Sequence, residues 1–201
     1  MRQLATLSQR LSTADESTVP VEAREALQCI FRHIDALTEK LGEMEARIVA
    51  WHKSSPESQR LASAPGVGPI TATAIVAAVG DGTQFRSSRH FAAWIGLAPR
   101  IKASGGKERI GRITKGGDRC LRTLLIHGAR AVVGTTFRKD VAPRPWLILT
   151  RTMADSALRI WGLKLKEKIG FKRAAIAIAR KLAVIMHTML KSDDPVPDKR
   201  L

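Results

Sequence analysis

Between Arg100 and Arg122 the chain sets one serine among glycines and cations. It reads Ser104-Gly105-Gly106-Lys107, then Arg109, Gly111, Arg112, Lys115, Gly116, Gly117, Arg119 and Arg122. Glycines on one side leave a serine hydroxyl unshielded. Neighbouring Lys and Arg would hold a phosphate and offset charge on an attacked phosphodiester. The commoner role of a serine before Gly-Gly is that of a turn residue. No histidine accompanies it in sequence: His33, His52, His90, His127 and His187 are scattered, as surface or internally satisfied side chains would be. Asp81, Asp118, Asp140 and Asp155 stand singly among basic residues, as caps and ion-pair partners do. Such isolated carboxylates argue against a self-sufficient Mg²⁺ nuclease built on a two-metal site.

A second stretch precedes the first. Leu61 to Ala72 contains Pro65-Gly66-Val67-Gly68-Pro69 between two apolar helical runs, and this resembles the helix-hairpin-helix DNA-binding motif. Glycines there would let the backbone approach a phosphate, and the next helix would offer free N–H groups and its positive dipole end. Any tight helix–helix turn can also use Gly-x-Gly. The nominated nucleic-acid contacts are therefore Gly66, Gly68 and Thr71, together with Lys102, Lys107, Arg109, Arg112, Lys115, Arg119 and Arg122. A basic loop is often only a solvated surface. Here the glycines permit close approach and the charges are nearly all of one sign.

These residues need a scaffold, and composition indicates a helical one. In 201 residues aromatics make up 4% and Tyr is absent, while Ala, Leu, Ile and Arg are plentiful, which favours helices over a sandwich or barrel. The formal charge is +16, which points to a polyanionic partner. That charge is unevenly placed: residues 1–60 sum to −1 and residues 61–201 to +17. Cys29 and Cys120 lack metal or redox spacing and read as reduced packing residues of a cytoplasmic protein. No apolar run reaches membrane-spanning length, and no signal-peptide h-region opens the chain.

In chain order, residues 1–18 are polar, with a short helical pattern at Leu4, Leu7 and Leu11. From Pro20 to Lys53 an apolar seam recurs at Leu27, Ile30, Ile34, Leu37, Leu41, Met44, Ile48 and Trp51, alternately three and four residues apart. A seam of this kind needs another helix. The partner is either the chain's own basic region or, favoured by the strict heptads, a second copy in a coiled coil. Short helices are expected over 57–64 and from Pro69 to Val79. Another, capped by Ser87 or Ser88, would bury Phe91, Ala92, Trp94 and Ile95. Arg100–Gly117 suits an irregular loop or a small β-hairpin. A helix from Asp118 to Val133 would turn Leu121, Leu124, Leu125 and Ala129 inward. After a connector at 134–150 come helices at 151–168 and 171–191, the last with Ala175, Ile178, Leu182, Ile185 and Met189 as its core stripe. The expectation is an all-α protein in three parts: a coiled-coil segment at 1–56, a helical domain at 57–191 and a tail at 192–201.

Several of these motifs, in this order, resemble the C-terminal transposase domain of the insertion sequence 110 family. The matching residues are Pro65-Gly-Val-Gly-x-x-Thr71-Ala72, Phe85, Ala92-Ala93-Trp94-x-Gly96-Leu97-x-Pro99 and Ser104-Gly105. Gly111-x-Ile113-Thr114-Lys115-x-Gly117-Asp118, Leu121-Arg122 and Arg173-Ala174-x-x-Ala177-x-Ala179-x-Lys181-Leu182-Ala183 continue the match. The resemblance covers about residues 20–190. It implies that Ser104 attacks DNA and becomes linked to it, that a non-coding guide RNA is a partner, and that the coiled coil mediates homo-oligomerisation. In that family a RuvC-like domain with a D-E-D-D site binds Mg²⁺. No counterpart of it is found in this chain, so no cofactor is expected here, and recombination by the chain alone is not expected. The alternative is a non-catalytic nucleic-acid-binding and oligomerisation module, a remnant or inhibitor of an intact transposase.

Overall fold

The computed structural model describes residues 20–104, 107–134 and 157–192. The expected helix near Leu4, the connector at 135–150, the start of the 151–168 helix, Gly105, Gly106, Asp140, Asp155 and the tail from 193 lie outside them. Among the described residues there are seven helices and one two-stranded hairpin, so the protein is mostly α. The chain divides into two units, Met1–Arg47 and Ile48–Leu201.

Helix α1, Val21–Ser54, carries the heptad seam. Leu27, Ile30, Leu37, Leu41 and Met44 are exposed along it. At about 1.5 Å per residue the helix spans about 51 Å. It stops where expected, because Ser55 caps α2, Pro56–Ala62, by accepting a hydrogen bond from the Ser58 N–H.

The second unit is organised by α7, Phe171–Lys191. Its stripe of Ala175, Ile178, Leu182, Ile185 and Met189 is buried, as the 3.6-residue period requires. Against α7 pack α2, α4 (Ser88–Trp94), α5 (Arg119–Val133) and α6 (Ala157–Ile169). Helix α3, Pro69–Val79, packs on α2 and α5. Each fully buried Leu, Ile or Met side chain contributes roughly 1.5–3 kcal/mol by leaving water. Leu61, Ile75, Phe91, Leu125 and Leu158 join that core.

Several residues expected to pack inside behave differently: Cys29 and Cys120 are exposed, and Leu124 is only half-buried. Trp94 retains 39% of its surface exposed. Its ring leans on Phe85 at 5.3 Å and on Phe91 at 6.2 Å, so it covers the edge of the core and does not fill it. Phe91, Ala92 and Ile95 are buried as expected.

The glycine-rich stretch forms the hairpin: β1, Pro99–Ser104, pairs antiparallel with β2, Lys107–Ile113. The register steps from Pro99↔Ile113 to Ile101↔Ile110, so β2 carries one extra residue at a bulge near Gly111.

Candidate nucleic-acid interface

The hairpin base is fastened to the helical unit by backbone groups. Thr114 N–H donates to Ala98 C=O at 2.9 Å, and Lys115 N–H donates to Gly96 C=O at 3.1 Å. Ile113 packs against the core. Gly96 and Gly117, both at positive φ, lie where any Cβ would collide with the Gly116 and Trp94 carbonyl oxygens respectively. This close passage of two chain segments explains why both positions lack a side chain. Arg122, one turn into α5, locks the same junction: its guanidinium donates to Ile95 C=O at 2.8 Å and Gly116 C=O at 3.0 Å. Asp118 begins the helix by accepting from the Leu121 N–H at 2.9 Å.

From that base the hairpin carries Ser104 to the end of β1, where it is exposed. The register sets Ser104 opposite Lys107 and Lys102 opposite Arg109, with Ala103 opposite Glu108 between them. Strand residues alternate between faces. Ser104, Lys102, Lys107 and Arg109 therefore occupy positions on one face of the ribbon, and Glu108, the acid of the hairpin, occupies the other. No histidine or carboxylate among the described residues hydrogen-bonds to Ser104.

Arg109, Arg112, Lys115 and Arg119 are exposed. Lys115 also has φ +58° and is, among the described residues, the sole non-glycine in the left-handed region. That conformation costs roughly 1–2 kcal/mol for an L-residue. The strain sits at the foot of the basic hairpin.

The Pro-Gly-Val-Gly turn divides its two glycines between different tasks. Gly66, at φ +81°, faces Gly128 of α5, and a Cβ on it would lie 2.6 Å from the Gly128 carbonyl oxygen. Its missing side chain is thus used in packing within the protein. Gly68 begins α3 without a side-chain cap, and a Cβ there would meet nothing within 4 Å. Gly68 is the glycine of the pair that leaves space for a ligand. Thr71 is buried. The nominated residues therefore separate into an exposed set (Ser104, Arg109, Arg112, Lys115, Arg119), a half-buried Gly68 with open space at its Cα, and a set engaged within the protein (Gly66, Thr71, Arg122).

Two isolated aspartates are occupied locally. Asp81 accepts from the Thr83 N–H and hydroxyl, at 3.0 and 2.9 Å, and these bonds hold its carboxyl below the usual range. Asp118 caps α5. Among the described residues no group of three or more His, Cys, Asp or Glu could hold a metal ion. The Mg²⁺ that the family resemblance implies has no donor set among them.

Sequence reasoning missed a buried polar cluster around His187. Its ring is 2% exposed, with Nδ1 3.0 Å from Ser88 Oγ and Nε2 3.3 Å from Gly82 C=O. Lys191 Nζ donates to Phe85 C=O at 3.1 Å beside it. The i, i+4 spacing of His187 and Lys191 on an apolar helix was the available signal. The cluster fastens the loop between α3 and α4 to α7.

The fold and site define a helical domain that holds a basic, serine-tipped hairpin away from its core. Residues 58–142 match the family described as Transposase IS116/IS110/IS902 family. The chain is 40% identical over 189 residues to a "Probable family 20 transposase" of Pseudomonas aeruginosa, covering 93% of this chain and 51% of that relative. It is 37% identical over 167 residues to the "Transposase for insertion sequence element IS1111A" of Coxiella burnetii, covering 83% and 42%. A "Pilin gene-inverting protein" of Moraxella bovis is 32% identical over 142 residues, covering 70% and 38%. The chain thus spans about half the length, or less, of these curated relatives. No helix among the described residues is long and apolar enough to cross a membrane.

Proposed function

We propose that the chain is the serine-bearing part of an insertion-sequence transposase, acting on DNA phosphodiesters. The observation that carries this is the hairpin register, which groups Ser104 with Lys102, Lys107 and Arg109 and sets Glu108 on the opposite face. In the proposed step the Ser104 oxygen bonds to phosphorus as a deoxyribose oxygen leaves. One phosphoester replaces another, the hydroxyl proton passes to a base, and the leaving oxygen takes up a proton. Arg109, Arg112, Lys115 and Arg119 neutralise neighbouring phosphates, and Gly68 opens α3 to a further one. The relatives' names, two transposases and a gene-inverting protein, support breaking and rejoining DNA as the overall reaction. A guide RNA as an additional partner, and homo-oligomerisation through α1, belong to the same reading.

The experiment supplies a RuvC-like half from a full-length relative in trans, with labelled duplex DNA, and looks for a covalent protein–DNA adduct. Wild type should form it and Ser104→Ala should not.

A second reading is a non-catalytic binding and oligomerisation module. It is favoured by the exposed seam of α1. On that reading neither protein forms an adduct, while both bind DNA equally.

A further inference from the structure

Helices α6 and α7 form a second basic region, separate in sequence from the hairpin. Residues 157–191 contain nine Lys or Arg and one acid, Glu167. On α6 the buried residues are Leu158 and Gly162, the latter close against Ile178. The opposite face therefore carries the row Ile160, Lys164, Lys168, spaced i, i+4, i+8, with Trp161 beside it. All four are exposed: Trp161 at 42% and Ile160 at 49%, with both lysines open to solvent. Lys172 and Arg173 follow within one turn of the next helix and are exposed too. None of these four cations forms an ion pair with another described residue. Lys166, by contrast, is taken up over the Phe171 ring at 5.9 Å.

We infer that this face of α6 binds single-stranded nucleic acid. An exposed indole supplies a stacking platform for an unpaired base, which a duplex does not offer. Lysines one turn apart on the same face track the adjoining phosphates. The shortage of acid makes the face complementary to a polyanion. Duplex contact at the hairpin and single-strand contact at α6 would be distinct sites. The assignment does not depend on whether Ser104 reacts.

The test uses the full chain, a labelled single-stranded RNA of about 15 nucleotides, the matching DNA strand, and the duplex, each titrated by fluorescence anisotropy at several salt concentrations. Trp161→Ala should weaken single-strand binding roughly 5- to 160-fold, with duplex binding little changed. Trp161→Phe should restore most of the loss. Lys164→Gln with Lys168→Gln should reduce the single-strand salt slope by about 1.4. Tighter binding of the RNA or of the DNA strand identifies which is preferred, and either supports the site. The inference is overturned if Trp161→Ala, melting as wild type, keeps full single-strand affinity, or if the double lysine variant keeps the wild-type salt slope. It is equally overturned if Trp161→Ala only abolishes a salt-insensitive self-association.

Discussion

Gly66 and Gly128 meet backbone to backbone. The turn before α3 presses on the middle of α5 so closely that a Cβ on either glycine would strike the other's carbonyl. This contact joins the Pro-Gly-Val-Gly turn to the helix whose first turns, through Arg122 and Asp118, hold the hairpin.

It follows that the turn's glycines are not equivalent. Gly128→Ala should cost about 1–3 kcal/mol as overpacking, lowering the melting temperature by roughly 2–4 °C per kcal/mol. Gly66→Ala should cost more, because its φ of +81° adds strain. Gly68→Ala should melt within about 0.5 kcal/mol of wild type and yet bind duplex DNA more weakly. Differential scanning calorimetry and a DNA titration on the three variants separate packing from contact.

The arginines divide in the same way. Arg122→Gln removes donors from Ile95 and Gly116 carbonyls, at about 1–3 kcal/mol, so it should lower the melting temperature and loosen the hairpin. Arg109→Gln and Arg112→Gln, at exposed positions, should leave melting unchanged. Each should reduce the slope of log affinity against log salt by about 0.9 for duplex DNA.

How much of this was legible in the sequence depends on what sets each feature. Periodicity located α5 and α7 and, Leu124 apart, their buried stripes, because burial alone fixes a 3.6-residue pattern. Glycine spacing marked Arg100–Gly117 as an irregular loop or a small hairpin, and of the two the hairpin forms. The destinations of Gly66 and Arg122 were not legible. Gly66 is required by Gly128, 62 positions later, and Arg122 by carbonyls up to 27 residues away. Trp94 was misplaced because α4 is only seven residues long, and two turns do not define a face sharply. His187 is internally satisfied, one of the two expected states, but its partners were not legible because Ser88 and Gly82 lie about a hundred residues upstream.

The His187 cluster gives stability a pH dependence of definite sign. Burial lowers its pKa below 6.5, Gly82 opposing and Lys191 reinforcing the shift; burial also lowers His52. The folded protein thus binds protons less readily than the unfolded chain, and this contribution is complete above the unfolded value near 6.5. It should be lost as pH falls from there through the folded pKa values. Thermal melts between pH 7.5 and 5 should show the decline, and His187→Gln, though less stable throughout, should show a shallower one. An unchanged slope in that variant would assign the effect elsewhere.

The exposed seam on α1 should be covered by another copy of the chain. Sedimentation should find an oligomer, and Leu37→Glu with Leu41→Glu should reduce it to a monomer with the melting of the second unit unchanged. A wild-type monomer at high micromolar concentration would contradict the coiled-coil reading.

The most direct test of the central claim is the mass of the hairpin-tip peptide after reaction with duplex DNA and a RuvC-like half in trans, followed by nuclease digestion. Wild type should carry a nucleotide remnant on Ser104, and Ser104→Ala should form no adduct. An adduct that persists in Ser104→Ala, or that maps to another residue, would contradict it.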